Sequence, residues 1–184
     1  MDNDVSAGSA ITTVIGRLAL GVTLLAFGLG TTEVVDGVTA ADAVSIAQYV
    51  GGIALFIAGV LAFRDKDSAS GTAFTALGAF WFTWAAGAGA QVSDNAAGLF
   101  LLLFALVALS LTLSGGDRLG QLTHGLLFVS LLLLALARFA DAGSLGKAGG
   151  WFAVAAGGRW PGTPRPPCRP TGRRRCRGAR RAGV

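Results

Sequence analysis

The chain has 184 residues, 53% of them hydrophobic and 14% charged, against roughly 25% charged in soluble domains. So few charges cannot cover a globular surface, which excludes an ordinary soluble domain and makes the lipid bilayer the expected partner. The net charge of +5 does not argue for nucleic acid: nine arginines lie between Arg159 and Arg181, and elsewhere six basic residues face ten acidic ones, a balance of −4.

A transmembrane helix needs about 20 mostly apolar residues to cross about 30 Å of hydrocarbon. Residues 1–13 read as a cytoplasmic lead-in, and the first span is predicted from Val14 to Gly30. "LALGVTLLAFGLG" also has the length of a signal-peptide core, and "VTA" ending at Ala40 resembles a cleavage site. Asp2 and Asp4 stand where a signal peptide carries basic residues, so the segment reads as a span. Further spans are predicted at Ala43–Phe63, Thr72–Ala90, Ala96–Leu113 and Leu119–Phe139. A sixth segment starts near Gly146 and stops at Gly158; as a helix it is about 20 Å long, too short to cross. The expected fold is all-α: an integral-membrane six-helix bundle over residues 14–158, its sixth helix truncated or disrupted.

Residues 159–184 hold all five prolines and both cysteines. This Arg/Pro-rich stretch is expected to be a disordered tail. Its Arg, Pro, Gly and Ala are the residues that GC-rich codons yield in any frame, so a shifted reading frame is the expected origin. The competing reading is a polybasic tail on an anionic leaflet.

Loop charge sets orientation. Arg64 and Lys66 lie between spans two and three, and Arg118 between four and five. The opposite loops carry Glu33, Asp36, Asp42 and Asp94, with Arg138, Asp141 and Lys147 in the last. Both termini are therefore expected in the cytoplasm, the protein being multi-pass in the plasma membrane.

No Asp or Glu falls in mid-span. Arg17 and Arg138 lie near span ends, where snorkelling accounts for them, and His124 reads as an interfacial histidine. Cys168, Cys176 and His124 cannot supply the four ligands of a structural zinc site. The sequence has no nucleophile–base pair and no phosphate loop, so neither an enzyme nor a bound cofactor or metal is expected. Thr72 and Thr75, three apart, share a helix face. Hydroxyls in membrane helices commonly bond to their own backbone or join helices; this pair is the candidate for hydrogen bonding a substrate. "AFWFTW" places Phe80, Trp81, Phe82 and Trp84 in mid-span, where packing is the expected role. Small residues such as Gly52, Ala58 and Gly59 permit close helix approach and a tight bundle.

One stretch is more specific. "GGIALFIAGVLAFRDKDSASGTAFTALGAFWFTW", Gly51 to Trp84, resembles the succinate–acetate permease family, the acetate uptake transporters. The likeness rests on the glycine pair, Ala58-Gly59, Phe63-Arg64, Thr72 to Thr75, Gly78 and Phe80-Trp81, and "LARFADAGSLGKAGGW" extends it. The resemblance implies six helices per protomer, a homohexamer, and passage of small carboxylates such as acetate and sometimes succinate, linked to protons. It also implies a constriction of three side chains, which fall on Leu20, Leu77 and Leu127. The sequence departs from the family pattern at the N-terminal NPAPLGL signature, replaced by "AITTVIGRLALG". Leu55, Ala62 and Leu77 stand where glutamine, glutamate and tyrosine are usual, and each change removes polarity. The expected function is a membrane transporter or channel for small carboxylates; the loss of polarity is the support for the alternative, a small polytopic membrane protein with a structural or stress-related role and no transport.

Overall fold

The computed structural model describes residues 2–37, 39–88, 92–114 and 118–158. The tail and its proposed frameshift fall outside them. The architecture is an all-α membrane bundle of six helices. The first is α1 (Asp2–Thr32); the second is built from α2 (Ala40–Ile46), a π-helical segment (Ala47–Ala54) and α3 (Leu55–Arg64). α4 (Ser68–Ala88), α5 (Asp94–Leu113), α6 (Arg118–Ala140) and α7 (Gly143–Gly157) complete it. Among the described residues, four segments are both long and apolar enough to cross a membrane: 11–32, 41–64, 94–113 and 118–140. α4 has the length, 21 residues, but its many Gly, Ala, Ser and Thr make it less apolar. α7, with 15 residues, is the short sixth helix.

α1 begins earlier than hydropathy suggests. Residues 2–10 are helical although they are not a span. Other boundaries follow local chemistry. The Ser93 hydroxyl accepts a hydrogen bond from the Ala96 N–H (3.3 Å) and caps α5. The Asp67 carboxylate accepts one from the Ser70 N–H (3.1 Å) and caps α4; hydrogen bonding from the Ser70 side chain first, and from its N–H after that, holds the Asp67 carboxyl below the ordinary aspartate value. Glu33, Lys66 and Asp141 take positive φ just past the ends of α1, α3 and α6, where a left-handed residue ends a helix.

Around the bundle the order is α5, α6, α7, α1, the α2–α3 helix, and α4. Glycines set the spacing. A Cβ on Gly78 would stand 2.7 Å from the Phe56 backbone nitrogen, and one on Gly52 3.0 Å from Phe82 Cα. With Gly59 against Thr75 and Gly71 against Phe63, these pairs run in antiparallel register along the whole α3–α4 contact. α1 and α7 do the same: Gly28 lies against the Gly150 carbonyl and Gly157 against the Gly21 carbonyl, each 2.7 Å from the added carbon. In lipid, where apolar burial gives helices no reason to associate, such approach lets dispersion contacts hold them together. The Ser130 hydroxyl ties α6 to α7 by donating to the Gly149 carbonyl (2.8 Å). α4 and α5 stand further apart and meet through Phe80, Phe100 and Phe104.

Candidate functional site

Leu20 on α1, Leu77 on α4 and Leu127 on α6 are all buried, and they belong to one continuous apolar cluster with Leu24, Trp81, Leu101 and Leu131. Three separate helices thus bring the leucines into the same core. Apolar groups from facing helices present no hydrogen bond to an ion and exclude water from the space between them. A charged carboxylate meets a large desolvation cost in such a place, whereas its neutral acid meets a far smaller one.

Trp81 is one turn from Leu77 on the same side of α4. It is fully buried, and its indole nitrogen has no hydrogen-bond partner. The Thr75 hydroxyl oxygen is likewise buried and unpartnered. Several other hydroxyls are spent on their own helix: those of Thr23, Thr112 and Ser110 donate to the carbonyl four residues back. Orphaned polar atoms in a membrane bundle are costly, so these two mark where hydrogen-bonding capacity remains. The two threonines do not point where the leucines do. At about 100° per residue, Thr72 and Thr75 lie about 140° and 160° around α4 from Leu77. Thr72 is exposed, and Thr75 lies against Gly59 of α3.

At the end of the bundle that carries Asp94, a cavity of about 560 Å³ opens between α2, α4, α5 and α6. Val44, Thr83, Trp84, Ala97, Phe100 and Arg138 line it. Its size falls within the range of small-molecule pockets, about 300–1,000 Å³. Trp84 and Phe100 lead inward to a ring cluster. Trp84 meets Phe27 edge-on at 5.9 Å between centroids, Phe27 meets Trp81 at 5.1 Å, and Phe100 stacks on Phe80 at 5.7 Å. A vestibule, an aromatic throat and a leucine core therefore follow one another along α4.

Arg138 Nη1 lies 3.0 Å from Asp94 Oδ1, joining the end of α6 to the start of α5. Lys147 and Glu33 make a looser pair at 3.4 Å between α7 and the end of α1. Among the described residues no group of three His, Cys, Asp or Glu side chains gathers as metal ligands would. The π-helical segment was invisible in composition; it places Gly51 against Thr23 and Trp81, beside the throat. Such segments are frequent at functional sites. Arg138 carried a sequence signal, its place near a span end, but the vestibule it lines is made by four helices distant in sequence.

Three comparisons bear on this arrangement. The sequence profile described as the GPR1/FUN34/yaaH family matches residues 7–159. The "Glyoxylate pathway regulator" of Yarrowia lipolytica is 29% identical over 154 residues, 76% of this chain and 57% of that protein; the chain thus spans just over half the length of this relative. The solved structure of the bacterial acetate channel SatP superposes with a TM-score of 0.71 at 25% identity, covering 80% of this chain and 85% of that one.

Proposed function

Because this chain belongs to the GPR1/FUN34/yaaH family, we propose that it is a transporter or channel passing small carboxylates, acetate first among them, across the membrane. The observation that carries the reading is the fold shared with an acetate channel over most of both chains. Supporting it is the sequence of vestibule, aromatic throat and leucine core. In this reading Leu20, Leu77 and Leu127 form the constriction. The Trp81 indole N–H, on the Leu77 side of α4, is the group with capacity to spare for a passing carboxyl group; Thr75, also unpartnered, faces α3, and Thr72 stays outside the path.

The described core holds no buried Asp or Glu: its buried polar side chains are Thr23, Thr32 and Ser130. Proton linkage then resides in the substrate, which crosses the constriction as the neutral acid. Succinate, with two carboxyl groups, must shed two charges and is the poorer substrate. The protein acts as a homo-oligomer, a hexamer by its kinship, in the plasma membrane with its N-terminus cytoplasmic; a cytoplasmic C-terminus requires the sixth crossing to be completed beyond the 15 residues of α7.

Purified protein in proteoliposomes should carry labelled acetate, faster as external pH falls. Leu77→Ala should widen the constriction and raise the flux several-fold. A parent protein that assembles but carries no acetate would overturn the reading. Unchanged flux in a folded Leu77→Ala variant would remove Leu77 from the path.

A further inference from the structure

We propose that Arg138 is the carboxylate-docking residue of the vestibule, and that Asp94 is its built-in competitor, holding the guanidinium until a substrate carboxylate replaces it. The proposal deepens the carboxylate reading of this site and rests on it. Arg138 is the one charged side chain among the described residues lining the cavity, whose other walls are mostly apolar: Val44, Trp84, Ala97 and Phe100. A cation between low-dielectric walls focuses its field into the space they enclose, raising the local concentration of anions. A guanidinium also matches a carboxylate in shape, offering two parallel N–H donors. Thr83 and Trp84 line the same walls, one with a polar and one with an apolar side chain, as a short carboxylate with a methyl group requires.

Asp94 presents to Arg138 the same chemical group that the substrate would. The pair is joined at 3.0 Å through one terminal nitrogen, with side chains 48% and 72% exposed. Exposed pairs of this kind are weak and readily exchanged. Release also leaves Asp94 well placed. It begins α5, in the first turn, where a carboxylate is favoured by the helix pole without a cationic partner. Arg138 in turn lies in the last turn of α6, where a cation is favoured. Each residue is thus stable apart from the other, and the exchange costs little. Competition from Asp94 keeps the substrate loosely held, as entry into a pore demands.

The test uses the full chain in nanodiscs at pH 7. Sodium acetate is titrated against sodium chloride at constant ionic strength, with tryptophan fluorescence as readout and Trp84→Phe to identify the reporter. The parent should show a saturable acetate signal. Arg138→Gln should raise the half-saturating concentration by about tenfold or more, Arg138→Lys by less. Asp94→Asn should lower it several-fold, and the double variant should behave as Arg138→Gln. The opposite signs are the point. If both single variants move the value the same way, or neither moves it, Arg138 and Asp94 are a clasp between α5 and α6 and the proposal is wrong. Absence of an acetate-specific signal in the parent overturns it as well. Flux in proteoliposomes separates this from the transport reading. A parent that docks acetate but carries none removes transport and keeps the docking residue. A parent that carries acetate with a half-saturation indifferent to both substitutions does the reverse.

Discussion

At the scale of single residues, orphaned polar atoms carry more information than charged ones. The Thr75 hydroxyl is buried without a partner, a situation that costs about 1–3 kcal/mol. Thr75→Val keeps the shape and removes the orphan. It should leave the fold at least as stable, by about 1 kcal/mol, in thermal unfolding monitored by circular dichroism. A rise in the half-saturating acetate concentration of the same variant would place the hydroxyl in the path; no rise confines it to the contact with α3. Sequence spacing made the shared face of Thr72 and Thr75 legible. The same spacing turns that face away from Leu77; what it could not say is which of the two faces meets the core, because that depends on how α4 packs in the bundle. The three leucines were reached through family kinship rather than composition, since the spans hold many leucines and nothing local distinguishes these.

At the scale of elements, glycine placement decides which substitutions the bundle tolerates. Gly78→Ala puts a methyl group 2.7 Å from the Phe56 backbone nitrogen. Backbone cannot rotate away as a side chain can, so α3 and α4 must separate at a cost of about 1–3 kcal/mol. Gly87 lies on the same helix with nothing within 4 Å, and Gly87→Ala should stabilise it by about 0.5–1 kcal/mol. Comparing the two variants by thermal unfolding in detergent checks the register of the α3–α4 contact: equal effects would contradict it. Helix positions were largely readable from hydropathy, as α5 and α6 show, each found within two residues of its expected ends. The π-helical segment was not, because a shift of hydrogen bonding from i+4 to i+5 leaves no mark in residue type. Nor was the early start of α1, whose polar first turns are helical without being apolar.

At the scale of the whole molecule, loop charge sets the expected orientation of the chain. Arg64, Lys66 and Arg118 cluster at one end, while Glu33, Asp94 and Asp141 lie at the other with Arg138 and Lys147. With Cys168 and Cys176 replaced by Ser, a cysteine at Ser144 should react with an impermeant maleimide from outside, and one at Ser68 should not; the reverse pattern overturns the orientation. The arginine-rich residues after Gly158 answer to their coding DNA. A shifted frame there should encode an apolar stretch of helix length, and a stop or a polar stretch in both other frames makes the tail native. Finally, the glycine contacts divide the bundle mechanically. α3 with α4, and α1 with α7, are locked backbone to backbone. Between α4 and α5 the joint is made of rings, Phe80 against Phe100 and Phe104 at 5.7 and 4.9 Å, each pair worth about 0.5–1.5 kcal/mol beyond its buried area. Rings can slide or tilt past one another without losing contact; interlocked glycines cannot. The seam between α4 and α5 is therefore expected to yield more readily than the glycine-locked contacts, and the vestibule lies beside it.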